Sequence, residues 1–109
     1  MAFITAKFRV LAEDADRWPE ITKAFTEATR AEPGCLWFDW SCSVDEPTDY
    51  VLVEAFRDAA AAGQHVQSDH FRAAQRERPP LLVETPGIVN FEVPQDGWSE
   101  PGELASPSD

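Results

Sequence analysis

The chain has 109 residues, with twelve aromatic, nine basic and twenty acidic side chains, and a net charge of −11. That length sets one domain with a modest core, and the negative sign opposes nucleic-acid phosphates and anionic lipid surfaces. No run of about 18 apolar residues is present to cross a membrane, and the first residues lack the basic and apolar regions of an export signal.

Along the chain, Ile4, Ala6, Phe8 and Val10 alternate with Thr5, Lys7 and Arg9, which predicts a half-buried strand over 3–11. A helix is expected over 14–31, with Trp18, Ile21, Phe25 and Ala28 at helical spacing on one face. Pro19 falls in its first turns, and Pro33-Gly34 ends it. A second strand is expected over 35–44, with Leu36, Phe38, Trp40, Cys42 and Val44 on one face and Cys35, Trp37, Asp39, Ser41 and Ser43 on the other. Asp45 to Asp49 is turn chemistry, and Tyr50 to Arg57 reads as a third strand closing a hairpin. Asp58 opens a short Ala-rich helix to about Val66, and Ser68 can cap another to about Arg78, stopped by Pro79-Pro80. Gly87 to Val93 is the fourth strand. Residues 1–94 form the domain, and 95–109 read as an acidic Pro/Gly/Ser-rich tail, ordered at most near Trp98.

The order β-α-β-β-α-β is the ferredoxin-like arrangement of the α+β class. One sheet face is covered by the helices. The other also carries large apolar groups, Trp37 opposing Phe38 and Trp40, and Val51 and Val53 opposing Leu52 and Phe56. Such a patch is expected to be buried by a second copy of the same sheet, as a homodimer. Cys35 and Cys42 lie roughly 23 Å apart along an extended strand, too far for a disulfide. Free thiols without an evident export signal are what is expected of a cytoplasmic chain.

Both histidines fall within His65-Val66-Gln67-Ser68-Asp69-His70-Phe71, between the two later helices. Histidine is the side chain whose ordinary pKa lies in the physiological range. On one continuous helix, His65 and His70 would point about 140° apart; they converge only if the chain breaks near Ser68. No GxGxxG or GxxxxGK[ST] loop and no CxxC or HxxxH spacing is present. Two histidines without an evident third ligand give no reason to assign a metal.

Glu32-Pro33-Gly34-Cys35, then Asp45 and Pro47, Glu54 and Phe56, and His65, Ser68, His70 and Phe71 follow in one ordered stretch of about 40 residues. This set resembles the antibiotic biosynthesis monooxygenase superfamily. The resemblance implies a dimeric α+β barrel, formed when two ferredoxin-like sheets pack face to face, and a small apolar pocket in each protomer. It further implies oxygenation of quinols, anthrones or similar hydroxylated aromatics without metal, flavin or haem.

Such a reaction requires the substrate to become an electron-rich anion before it meets O₂. A neutral imidazole is a suitable base, and polar groups in a dry pocket stabilise the anion. His65 is the expected base. His70, Asn90, Arg9 and Ser68 are candidates to stabilise the anion, and Trp37, Trp40, Phe38, Phe56 and Phe71 are candidate walls. Glu54 is a structural carboxylate unless desolvated, when it becomes a rival base. Three other functions compete. Haem degradation within this fold resembles a pattern with Asn on the first strand and a histidine on the later helix, whereas here strand one has no Asn and the helix carries Gln75. An isomerase of a small signalling metabolite would use the same base without O₂. A non-catalytic dimer would bind aromatics without turnover.

Overall fold

A computed structural model describes residues 1–108. Strands β1 (Ala2–Arg9), β2 (Cys35–Cys42), β3 (Asp49–Phe56) and β4 (Gly87–Glu92) form one antiparallel sheet in the order β2-β3-β1-β4. Between β1 and β2 the chain forms α1 (Ala12–Ala15), α2 (Trp18–Ile21) and α3 (Lys23–Arg30); between β3 and β4 it forms α4 (Ala59–Val66) and α5 (Asp69–Glu77). This is the ferredoxin-like α+β arrangement expected from element order. The helices lie on one face, α3 against β2 and α4 against β3.

Alternation decides which residues face the helices. Ala2, Ala6, Val10, Tyr50, Leu52, Phe56 and Phe38 are buried there. Phe3, Thr5, Lys7 and Arg9, by the same alternation, take the outer face. On β4 all six residues are exposed.

The helix expected over 14–31 is divided into three. Pro19 has no N–H to give the Ala15 carbonyl four residues back, and the Tyr50 hydroxyl donates to that carbonyl instead, at 2.8 Å. Across Thr22 the helical bonds continue, from Thr22 N to the Trp18 carbonyl and from Thr26 N to the Thr22 carbonyl, so α2 and α3 form one bent rod. Its buried stripe is Trp18, Thr22, Thr26 and Thr29, displaced by about one position from the Ile21-Phe25-Ala28 face read from the sequence. Polar threonines tolerate this burial because their hydroxyls are bonded. Thr22 and Thr29 donate to carbonyls four residues back, and Thr26 Oγ1 accepts from Trp40 Nε1.

The second strand ends at Cys42, not at 44, and Val44 is fully exposed. A bulge between Cys35 and Trp37 leaves Leu36 without a partner and 43% exposed. The extra residue reverses the facing of Cys35, which packs with Phe38 and Phe56 rather than on the outer side with Trp37. Both cysteines are free. In the tail, Trp98 returns to pack on Trp37, the rings tilted by 31° with centroids 5.0 Å apart, and a short 3₁₀ turn forms at Gly102–Leu104. Among the described residues, no helix is long and apolar enough to cross a membrane.

Candidate functional site

Ser68 brings the two histidines together. Its hydroxyl donates to the His65 carbonyl at 2.6 Å, closing α4, and accepts from Phe71 N–H at 3.2 Å, opening α5. The chain therefore turns between the two helices instead of running on, and the imidazole centroids lie 5.8 Å apart. Asp58 caps the other end of α4 by accepting from Ala61 N–H at 2.8 Å.

A third residue reaches both rings. Glu32 sits in the turn between α3 and β2, held at both ends by backbone bonds from Glu32 N to the Thr29 carbonyl and from Cys35 N to the Glu32 carbonyl. One carboxylate oxygen, Oε2, lies 2.7 Å from His65 Nδ1 and 2.6 Å from His70 Nε2. A carboxylate can only accept, so both facing nitrogens carry protons. That tautomer leaves His65 Nε2 as a lone pair, directed toward Glu54 Oε1 at 4.0 Å.

The surroundings are aromatic. Phe56 stacks on the His65 ring with centroids 5.0 Å apart, and Phe71, Phe25 and Phe38 approach it at 5.2, 5.7 and 6.1 Å. Phe25 also meets His70 edge-on at 5.7 Å. Burial dominates the electrostatics. It pushes His65 below the usual 6.5, with His70 adding to the fall and Glu32 opposing it. Burial, reinforced by the nearby Glu32 charge, pushes Glu54 up to about 7. Near neutral pH the cluster thus holds a neutral imidazole beside a carboxyl group poised between its two forms.

Of the residues singled out from sequence, His65, His70, Phe38, Phe56, Phe71 and Glu54 meet here, with Ser68 acting through the backbone. Asn90 shares the helix-facing side. The cross-strand row runs Phe38, Glu54, Ile4, Asn90, which puts Asn90 at its open end. Trp40 lies on the same side, but its ring contacts are Phe8, Trp18 and Phe38. Arg9 and Trp37 do not belong to this site. Alternation sends Arg9 to the outer face, where it pairs with Asp49 and Glu84 at 3.3 and 3.2 Å. Trp37, opposite Phe38 by strand alternation, lies on that same face, packing with Phe3 and Trp98. Phe25 and Glu32 were not among the expected site residues, although Glu32 opens the Glu32-Pro33-Gly34-Cys35 stretch. Phe25 reads as ordinary helix core. Besides its place in that stretch, Glu32 had a physical signal: an acid at a helix C-terminus opposes the helix dipole, and so calls for a partner elsewhere.

The model of the family described as "Antibiotic biosynthesis monooxygenase" matches residues 1–77. A crystal structure of an antibiotic biosynthesis monooxygenase superposes with a TM-score of 0.77 at 24% identity, covering 85% of this chain and 98% of that one. A protein of Mycobacterium tuberculosis superposes with a TM-score of 0.79 at 26% identity, covering 90% of this chain and 98% of that one. An uncharacterised Synechocystis protein is 22% identical over 90 residues, 83% of this chain; the match spans 61% of that relative's length.

Proposed function

Because the chain belongs to the antibiotic biosynthesis monooxygenase family, we propose that it oxygenates a quinol, anthrone or similar hydroxylated aromatic with O₂, using no prosthetic group, with His65 as the base. The observation that carries this reading is the buried, neutral His65. Its Nδ1–H is pinned by Glu32 at 2.7 Å, and its Nε2 faces Glu54 Oε1 at 4.0 Å, beyond hydrogen-bond distance, in a ring packed among phenylalanines.

His65 Nε2 takes a proton from the substrate, and Glu32 stabilises the resulting imidazolium. The electron-rich anion then reduces O₂. For an anthrone-like substrate, one oxygen atom ends in the new carbonyl, and the other leaves as water with the two hydrogens lost from carbon. His65 is 4% exposed, and in this reading substrate approaches Nε2 from the β4 side, where the strand is exposed. There the row Glu54-Ile4-Asn90 leads outward, and Ala2 and Ala6 flank Ile4 on β1 with small side chains. Asn90 can hold a substrate oxygen. Glu54, when protonated, can donate to the anion.

This reading includes a homodimer through the outer sheet face, where Val89 and Phe91 are 57% and 55% exposed. The free thiols Cys35 and Cys42 support a reducing, cytoplasmic setting.

The test is oxygen uptake by metal-free protein against a panel of quinols, anthrones and naphthols. On a substrate found this way, His65→Ala should lower kcat by about 10²–10⁴-fold with the fold intact. The wild-type rate should fall as pH drops through the His65 pKa, below 6.5, because only the neutral ring is a base. Near-normal turnover by His65→Ala would overturn the assignment. Turnover without O₂ would point instead to an isomerase.

A further inference from the structure

We propose that Glu32, His65 and His70 also form a binding site for a first-row divalent metal ion, zinc being the best match, and that an ion bound there switches the His65 base off. The three donor atoms, Glu32 Oε2, His65 Nδ1 and His70 Nε2, all lie within 4.8 Å of one another. They arrive from separate places, the α3–β2 turn, the end of α4 and the first turn of α5, and converge on one point. Two imidazoles and one carboxylate are a donor set of open zinc sites, with the remaining position left to water. Imidazole donors also favour zinc, iron, nickel and copper over magnesium and calcium.

The geometry is close to that of a loaded site. Zinc–ligand distances near 2.1 Å hold neighbouring donors about 3.4 Å apart. The present contacts of 2.7 and 2.6 Å would therefore have to open by about 0.7–0.8 Å, and the two imidazole nitrogens, within 4.8 Å of each other, to draw in toward about 3.4 Å. His70 and Glu32 retain 23% and 15% side-chain exposure, which gives the ion a route in. A metal-bound imidazole ordinarily donates its second N–H to a carboxylate. His65 Nε2 already faces Glu54 Oε1 at 4.0 Å.

The consequence for catalysis follows from the tautomer, and it alone rests on the function proposed above. In the metal-free protein, Nδ1 carries the proton and Nε2 is the base. A metal on Nδ1 displaces that proton, and the neutral ring then carries its hydrogen on Nε2. The lone pair needed for proton abstraction is gone, so the loaded protein cannot run the cofactor-free reaction.

Equilibrium dialysis and calorimetry with Zn²⁺ on the full, metal-free chain test the site, with Co²⁺ absorption as a ligand-field probe. The expected result is one ion per chain. Binding should fall by more than 100-fold in His70→Ala and in Glu32→Gln, and by about 10–100-fold in Glu54→Ala. Cys42→Ser should bind as wild type. His65 and His70 are the only histidines in the chain, so a substitution-free readout exists: both imidazole NMR signals should shift on adding Zn²⁺. Absence of saturable binding, unmoved imidazole signals, or full affinity in a folded His70→Ala would overturn the site. Oxygen uptake should fall in step with occupancy and return with a chelator. One bound ion with unchanged turnover would overturn the switch. If no substrate turns over, dialysis and NMR still decide the site.

Discussion

Glu54 is the residue whose environment departs furthest from that of a surface acid. Burial and the Glu32 charge raise it from 4.5 to about 7, so the folded chain holds this proton more tightly than the unfolded chain does. Its neutral form stabilises the fold fully below about pH 4.5. That stability is lost as pH rises through 7, a loss of about 3 kcal/mol. His65 works in the opposite sense: its lowered pKa makes acidification below 6.5 destabilising. Glu54→Gln mimics the neutral carboxyl. It should raise unfolding free energy by about 2–3 kcal/mol at pH 8 and change it little at pH 5. Urea titrations at both pH values check this, and an equal effect at the two would refute it. The cysteines divide on the same principle. Burial, with Glu32 and Glu54 nearby, pushes the Cys35 thiol up to about 11, whereas Cys42 is exposed. An aromatic disulfide reagent at pH 8 should therefore label one thiol per native chain, and two after denaturation. Rapid labelling of both in the native state would contradict this.

At the level of elements, the position of α4 depends on Gly34. A Cβ added there would fall 2.3 Å from the Ala61 Cβ, so the glycine is required by close approach and not by its backbone angles. Because α4 carries His65, this contact sets how deeply the imidazole sits against Phe56 and Glu32. Gly34→Ala should destabilise by about 1–3 kcal/mol through overpacking. In the Gly34→Ala/Ala61→Gly double variant, most of the clash should disappear, leaving the helix-propensity cost of about 1 kcal/mol for the new glycine. A double-mutant cycle measures this coupling; additive effects would show that the two residues do not meet. The bend at Thr22 and the Tyr50–Ala15 bond show the same dependence of a helix on its neighbours. A strand supplies the donor that Pro19 lacks.

For the whole molecule, the outer face of the sheet is the surface that calls for a cover. Phe3, Trp37 and Phe91 form an aromatic patch there, and Trp98 of the tail lies over one corner of it. A second copy would bury this patch, and a stable interface of that kind removes about 1,200–2,000 Å² from water. Sedimentation at micromolar concentration should give a dimer, and a stable monomer would exclude it. Truncation after Pro94 should leave a folded domain, since the four strands and both histidines precede it, with thermal stability lowered by loss of the Trp98–Trp37 contact. Loss of folding on truncation would make the tail a structural arm.

The sequence by itself determined the strand alternation in β1 and β3, the caps at Asp58 and Ser68, the stop at Pro79-Pro80, and from their order the ferredoxin-like fold. It also showed that His65 and His70 needed a break at Ser68 to converge. All of these are local: periodicity and capping report how a residue stands relative to its own element. The rest came from contacts between elements. The bulge at Leu36 moved Cys35 from the outer side to the core. The buried threonine stripe became possible only where Trp40 and backbone carbonyls met its hydroxyls. Glu32 joined the histidines only because the α3–β2 turn packs against the α4–α5 junction. No pattern within one element records which carboxylate arrives from another, and that arrival fixes the tautomer of His65 and hence the chemistry of the site.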